Sequence, residues 1–292
     1  MNIVVTIPAF NEEKTVAKVL DGVNSALRGQ KYQVLVVDDG SSDNTAKAAR
    51  EKGALVVRHS RNYGLAETFR TEMQKCLELK PDVIVHIDAD NQYSCSDIPR
   101  LIQQIGKGYD LVLGSRFKGR IEGMPLIKRL GNRAFSKVIS NITQMKISDG
   151  QTGFRAFTRE VAEKISIVSK YTYTQEQIIR AANLKFRIKE IPVTFSRRNG
   201  KSRLMGNPFE YAIKAWITIF RVYRDYEPLK FFGLFGGLFC LGGVGTGLWI
   251  VINLMTTGTV GGLPRVMLTV LLLSIGIQIW LFGFLADMFR KK

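Results

Sequence analysis

Two carboxylates one residue apart, Asp88 and Asp90, close the apolar run 83–87. In an extended segment side chains two apart share a face, so both carboxylates are aimed at one spot where a strand stops. Such a pair suits a hard divalent cation, because Mg2+ takes one or two protein carboxylates together with substrate phosphate oxygens. The same spacing occurs in ordinary surface turns, and its weight depends on what else reaches that spot. Two further polar clusters end apolar runs in the same way. Pro8-Ala9-Phe10-Asn11-Glu12-Glu13 follows the run 3–7, and Asp38-Asp39-Gly40-Ser41-Ser42-Asp43 follows 34–37.

The elements that must position these clusters alternate along the first 115 residues. A strand at 3–7 leads into a helix whose Val16, Val19, Leu20, Val23 and Leu27 form one apolar face. A second strand at 34–37 precedes a helix capped by Ser42 or Asp43 and stopped by Gly53. Strands at 55–57, 83–87 and 111–113 follow, separated by helices near 66–79 and from Asp97 onward. This alternation predicts an α/β, doubly wound parallel sheet, in which ligands sit outside the carboxyl ends of the strands. All three polar clusters fall at such ends. A dinucleotide fingerprint is absent after the first strand, which disfavours a Rossmann dehydrogenase.

Residues 116–205 read as irregular and basic. Arg116, Lys118, Arg120, Lys128, Arg129 and Arg133 form one cluster, and Arg197, Arg198, Lys201 and Arg203 gather around Gly200. Most such runs are solvated surface, but glycine among Lys and Arg also builds a loop able to clamp phosphate. The segment 207–226 carries Phe209, Ile213, Trp216, Ile217, Phe220 and Tyr223 on one helical face, among basic residues, and reads as an interfacial helix.

The chain has 292 residues and a formal charge of +17, and its composition breaks near residue 230. From 231 to 289 the only charged side chains are Arg265 and Asp287. The stretches 232–255 and 264–286 each have the length of about 20 apolar residues that a bilayer crossing needs. Gly243-Val244-Gly245-Thr246-Gly247 lies inside the first span with no strand before it, so it is not a nucleotide loop. The glycines of both spans permit close helix packing and assembly of copies. Lys230 and Arg290, Lys291 and Lys292 flank the outer ends, while the connecting loop 256–263 carries no charge. The positive-inside rule then places the N-terminal domain at the cytoplasmic face of a cell membrane, and no signal peptide precedes the first strand. Cys76, Cys95 and Cys240 read as free thiols. The expected organisation is a catalytic domain at 1–205, an amphipathic juxtamembrane helix at 206–230 and a two-helix anchor at 231–292. The positive charge finds no nucleic-acid-binding signature; anionic lipid and phosphorylated substrates are the expected partners.

Together the motifs resemble the family 2 glycosyltransferases of GT-A fold, and among them the polyprenyl-phosphate sugar synthases such as dolichol-phosphate mannose synthase. The resemblance rests on I-P-A-F-N-E-E at 7–13, V-D-D-G-S-S-D at 37–43, D-A-D-N-Q at 88–92, G-S-R at 114–116, G-N-R at 131–133, S-D-G-Q-T-G-F-R at 148–155 and G-K-S-R-L at 200–204. It implies that Pro8, Phe10, Glu12, Asp39 and Asp88 hold the nucleotide of a nucleotide-diphosphate sugar. Asp88, Asp90 and Gln92 would bind Mg2+ or Mn2+. Arg116, Arg133, Thr152, Arg155, Lys201 and Arg203 would meet donor or acceptor phosphate, with Asp90, Arg116 and Asp149 as the catalytic set. The chain departs from the D-P-T-S-G-F and Gly-Glu-Ser-Lys patterns of the mannose synthases at 149–154 and 200–203.

The implied reaction is transfer of a hexose, of GDP-mannose, UDP-glucose or UDP-GlcNAc type, to a polyprenyl phosphate in the bilayer. A phosphate is already anionic at neutral pH and attacks the anomeric carbon without a general base, inverting it. Electrostatic stabilisation of the departing diphosphate is then the main requirement. His86 reads as a packed core residue, and His59 is given no role. A hydroxyl acceptor would need a base, for which Asp149 or Glu176 are the candidates. Processive polysaccharide synthases carry Q-x-x-R-W, whereas Gln177-Ile178-Ile179-Arg180 is followed here by Ala181. A non-catalytic membrane scaffold is the remaining alternative.

Overall fold

Strand β1 (Ile3–Ala9) is buried along most of its length, including Val4, Val5 and Ile7 on alternate faces. Burial on both faces is what a parallel strand covered by helices on each side requires. It pairs in parallel with β2 (Tyr32–Asp38) and with β4 (Val83–His86), and β2 pairs with β3 (Leu55–Arg58). The register sets Ala9 beside Asp38, and Thr6 beside His86, so the polar clusters leave the sheet at neighbouring strand ends. The structure, a computed structural model, describes residues 1–168, 173–197 and 208–290.

The remaining half of the sheet departs from the expected run of parallel strands. Seven strands lie in the order β3-β2-β1-β4-β6-β5-β7. The inserted strand β6 (Arg155–Thr158) runs antiparallel between β4 and β5 (Leu111–Ser115), and β7 (Ile188–Pro192) closes the edge in parallel with β5. A four-residue strand opening with arginine has too little apolar periodicity to announce itself. Three helices also lie in the stretch expected to be irregular: α5 (Leu126–Thr143), α6 (Arg159–Lys164) and α7 (Thr174–Asn183).

The helices of the first half match the apolar spacing closely. They are α1 (Val16–Ala26), α2 (Thr45–Glu51), α3 (Leu65–Glu78) and α4 (Ile98–Gly106). Asn44 stands just before α2 without a side-chain bond to it; the Asp43 carboxylate, one of the two expected caps, accepts the Thr45 amide at 3.0 Å, while Ser42 donates its amide to Asn11. Beyond the sheet domain, α8 (Pro208–Tyr226) precedes α9 (Pro228–Thr257) and α10 (Leu263–Arg290). The last two are long and apolar enough to cross a membrane. They pack along Gly236, Gly243 and Gly276; a Cβ at Gly243 would meet Leu273 at 2.7 Å. Contacts divide the chain into two compact units, Met1–Pro208 and Phe209–Lys292.

Candidate active site

The loops after β1 and β2 are laced into one surface. Ser41 Oγ accepts the Asn11 amide at 2.8 Å, Thr45 Oγ1 accepts the Glu12 amide at 2.8 Å, and Asn11 Oδ1 accepts the Ser42 amide at 2.8 Å. Asn11 adopts a left-handed φ of 53°, which asparagine tolerates better than most residues. Burial alone would raise the Asp43 carboxyl, but hydrogen bonds from Thr45 and neighbouring amides outweigh it and hold it low. This lacing places Pro8, Phe10, Glu12 and Asp39 on adjacent strand ends.

Asp39 is buried at the end of β2, where its carboxylate accepts the Tyr63 and Gly64 amides, both at 2.9 Å. His59 Nδ1 reaches the same carboxylate at 2.8 Å, and His59 Nε2 meets Thr71 Oγ1 at 2.9 Å. Sequence reasoning gave His59 no role. It stands at the carboxyl end of β3, so the rule that drew attention to the other strand ends applied to it as well. His86 is the packed histidine expected: it is fully buried and bonded to Thr6 at 3.0 Å and to Tyr173 at 2.6 Å.

At the end of β4, Asp88 is half-buried and receives no hydrogen bond or ion pair among the described residues. Gly153 makes room for it, since a Cβ there would stand 2.7 Å from Asp88 Oδ2. Asp90 accepts the Gln92 amide at 3.2 Å and lines a groove of about 740 Å3 with Lys14, Lys18 and Arg197. Gln92 donates its side-chain amide to Ser196 O at 3.1 Å. Among the described residues no three His, Cys, Asp or Glu side chains gather into a closed metal cage. Hard carboxylate oxygens, those of Asp88 without a hydrogen bond among the described residues, are the donor set that Mg2+ or Mn2+ shares with phosphate. The residues present fit such an ion.

Arg116 follows β5 and forks onto Asp149, with Nε 2.7 Å from Oδ2 and Nη2 2.7 Å from Oδ1. Its own amide also donates to Oδ2 at 3.0 Å. Glu190, on β7, fixes this carboxylate from behind by accepting the Asp149 amide at 3.0 Å. Burial pulls the Arg116 guanidinium down, but Tyr93, Asp149 and Asp88 together push it above the ordinary arginine range. It therefore stays cationic within a mostly closed wall.

Most of the other expected site residues are buried. Asp149 is fully buried, and both its oxygens are held by Arg116. Glu176, the other candidate base, is buried; it accepts the Val168 amide at 3.0 Å and pairs with Arg180 at 2.7 Å. Thr152 and Arg155, expected at the acceptor, are sealed in the core. Thr152 donates to Gly114 O at 2.7 Å, and Arg155 donates to Gln177 at 2.8 Å and to the Thr152 carbonyl while lying over the Tyr173 ring. Arg133 is exposed on α5 and stacks over Phe117 at 5.6 Å. Lys201 and Arg203 lie outside the described residues.

Comparison with known proteins agrees with this architecture. The family model described as glycosyl transferase family 2 matches residues 4–166. A dolichyl-phosphate hexose transferase of Haloferax volcanii is 32% identical over 211 residues, covering 71% of this chain and 88% of the relative. A dolichol-phosphate mannosyltransferase of Pyrococcus furiosus is 29% identical over 294 residues, covering 97% of this chain and 81% of that protein. Among solved structures, glucosyl-3-phosphoglycerate synthase of Mycobacterium tuberculosis, in complex with Mn2+, UDP and glucosyl-3-phosphoglycerate, superposes with a TM-score of 0.59 at 20% identity. That match covers 76% of this chain and 78% of the synthase. The motifs at the strand ends, the mixed GT-A sheet and the family match converge: the chain belongs to the family 2 glycosyltransferases.

Proposed function

We propose that this enzyme transfers a hexose from a nucleotide-diphosphate sugar to a polyprenyl phosphate at the cytoplasmic face of a membrane, inverting the anomeric carbon. The observation that carries the reading is the Asp88 carboxylate, which among the described residues receives no hydrogen bond and interacts electrostatically with the cationic Arg116. Asp88 and Asp90 would hold Mg2+ or Mn2+, with Gln92 bracing the loop. Such an ion, when bound, neutralises charge on the departing diphosphate. Arg116 has five N–H donors and spends only part of them on Asp149, so the remainder can meet phosphate. The loops of Pro8, Phe10, Glu12 and Asp39 would seat the nucleoside, and Arg133, Lys201 and Arg203 would meet the acceptor phosphate.

The burial of the candidate bases supports a phosphate acceptor. Asp149 and Glu176 are buried and paired with Arg116 and Arg180, and His86 is closed within the core. A hydroxyl acceptor needs a proton taken from it; a phosphate monoester does not. The names of the archaeal relatives point to the same acceptor, and Mn2+ accompanies UDP in the mycobacterial synthase of this fold. Helices α9 and α10 would anchor the catalytic unit, with the basic residues at their outer ends on the cytoplasmic side.

The test is incubation of the membrane-bound enzyme with labelled GDP- and UDP-sugars, polyprenyl phosphate and Mn2+. The expected outcome is a solvent-extractable sugar-phosphate lipid that EDTA abolishes. Asp90→Ala should abolish it as well without changing the melting temperature. Full turnover in EDTA would refute the proposal.

A further inference from the structure

His59 ends β3 beside the Asp39 carboxylate, and nothing in the proposed reaction uses it. Its ring and two main-chain amides converge on that one group: His59 Nδ1 at 2.8 Å and the Tyr63 amide at 2.9 Å on Oδ1, and the Gly64 amide at 2.9 Å on Oδ2. An ionised carboxylate only accepts, so Nδ1 carries the ring proton and Nε2 accepts the Thr71 hydroxyl. A carboxylate offers about four acceptor positions. Among the described residues three are filled, two on Oδ1 and one on Oδ2. One position is left, on Oδ2, and the side chain retains 6% exposure through which a ligand can reach it.

The sheet order says what would arrive there. Asp88 and Asp90 follow β4, Asp39 follows β2, and β1 lies between them. Two strand spacings amount to about 9.6 Å, comparable to the reach of a nucleoside from its phosphate to the edge of its base. A nucleotide with its diphosphate at β4 thus lays its base toward Asp39; this step rests on the nucleotide-sugar reading above. Bases differ in the edge they would present to a carboxylate. Guanine offers two adjacent N–H donors, which suit a carboxylate with both oxygens open. Adenine and cytosine set a ring acceptor beside their amino group, and that acceptor is repelled. Uracil offers a single imino N–H.

The geometry points to a uridine-diphosphate sugar as the donor class, with His59 as the specificity residue that disfavours guanosine by occupying the second acceptor position on Oδ1. His59 acts through Asp39 and touches no reacting atom. Replacing it with a residue that cannot donate reopens that position, and the guanine edge can then pair with both oxygens.

Calorimetric binding of UDP and of GDP to the full-length protein in detergent with Mn2+ tests the inference. Wild type should bind UDP more tightly than GDP by about tenfold or more, the factor expected from one buried donor left unpaired. In His59→Ala the preference should shrink by about tenfold. His59→Asn, whose amide nitrogen takes the place of Nδ1, should restore it. A merely structural His59 would weaken both diphosphates together at a constant ratio, which overturns the inference. Wild-type GDP binding as tight as UDP binding overturns it too, whether or not His59→Ala folds. Binding of GDP alone would leave the nucleotide-sugar reading standing, whereas binding of neither diphosphate would bring both down.

Discussion

Gly153→Ala is a sharp test of the proposed metal and diphosphate site, because it adds one methyl group directly behind Asp88. The new Cβ would stand 2.7 Å from Oδ2, 2.8 Å from Oδ1 and 3.0 Å from Cγ of that carboxylate. Ordinary contact begins near 3.4 Å, so going from 2.7 to 3.4 Å asks the carboxylate to retreat by about 0.7 Å. Asp88 has no protein hydrogen bond among the described residues to resist this, and it is the end of a side chain, so it yields before the backbone does. A misplacement of about 1 Å in a reacting constellation costs on the order of 100-fold in rate; the shift here should cost about 10- to 100-fold in kcat/KM. The fold should hardly notice. The backbone of Gly153 lies outside the left-handed region, and Gly→Ala in an ordinary conformation adds about 0.4–1 kcal/mol through the unfolded chain, offsetting residual crowding. Initial rates of sugar-lipid formation over a Mn2+ series, beside a melting curve, are the assay. Wild-type rates with a wild-type Mn2+ midpoint would refute the assignment of Asp88 to the reacting centre.

Asp149→Ala should instead be a stability mutant as well as an inactive one. Stranding the buried Arg116 charge costs about 3–5 kcal/mol, read as a large fall in melting temperature; unchanged melting would mean that the pair is not buried in solution. The pairing of Arg116→Met with Asp149→Leu should recover much of that stability while remaining inactive. Glu72, sealed against His86 at 3.1 Å, has its carboxyl raised above 4.5 chiefly by burial, with His86 pulling the other way. The folded state thus retains a proton that the unfolded chain releases, and this term lowers stability as pH climbs from about 4.5 through the raised folded value. Glu72→Gln should flatten that limb of the stability curve; an identical pH dependence in the variant would contradict the assignment.

The first half of the chain was legible because its signals are local. Ile3, Val5 and Ile7 announce a strand by composition, and Val16, Val19, Leu20 and Val23 announce a helix by spacing; each is then buried where the pattern puts it. The second half was opaque because β6 is only four residues long and its buried Arg155 is stabilised by Gln177, a partner 22 residues further along the chain. Glu190 was missed in the same way, as a lone acid in an edge strand whose partners, Ser148 and Asp149, lie some forty residues away.

The sequence by itself determined which chemistry was on offer: a D-x-D at a strand end, basic residues to meet phosphate, and two apolar helices. Those follow from residue type and spacing, which are properties of short stretches. Only the tertiary structure decided which of these groups are free to act. Asp149 and Asp39 look alike in the sequence, as acids in polar loops. One is fully buried in a fork with the charged Arg116, and the other, bonded to His59 and two main-chain amides, keeps 6% of its side chain exposed. The difference lies in the partners and the burial supplied by residues distant in the chain, and not in the identity of the carboxylate itself.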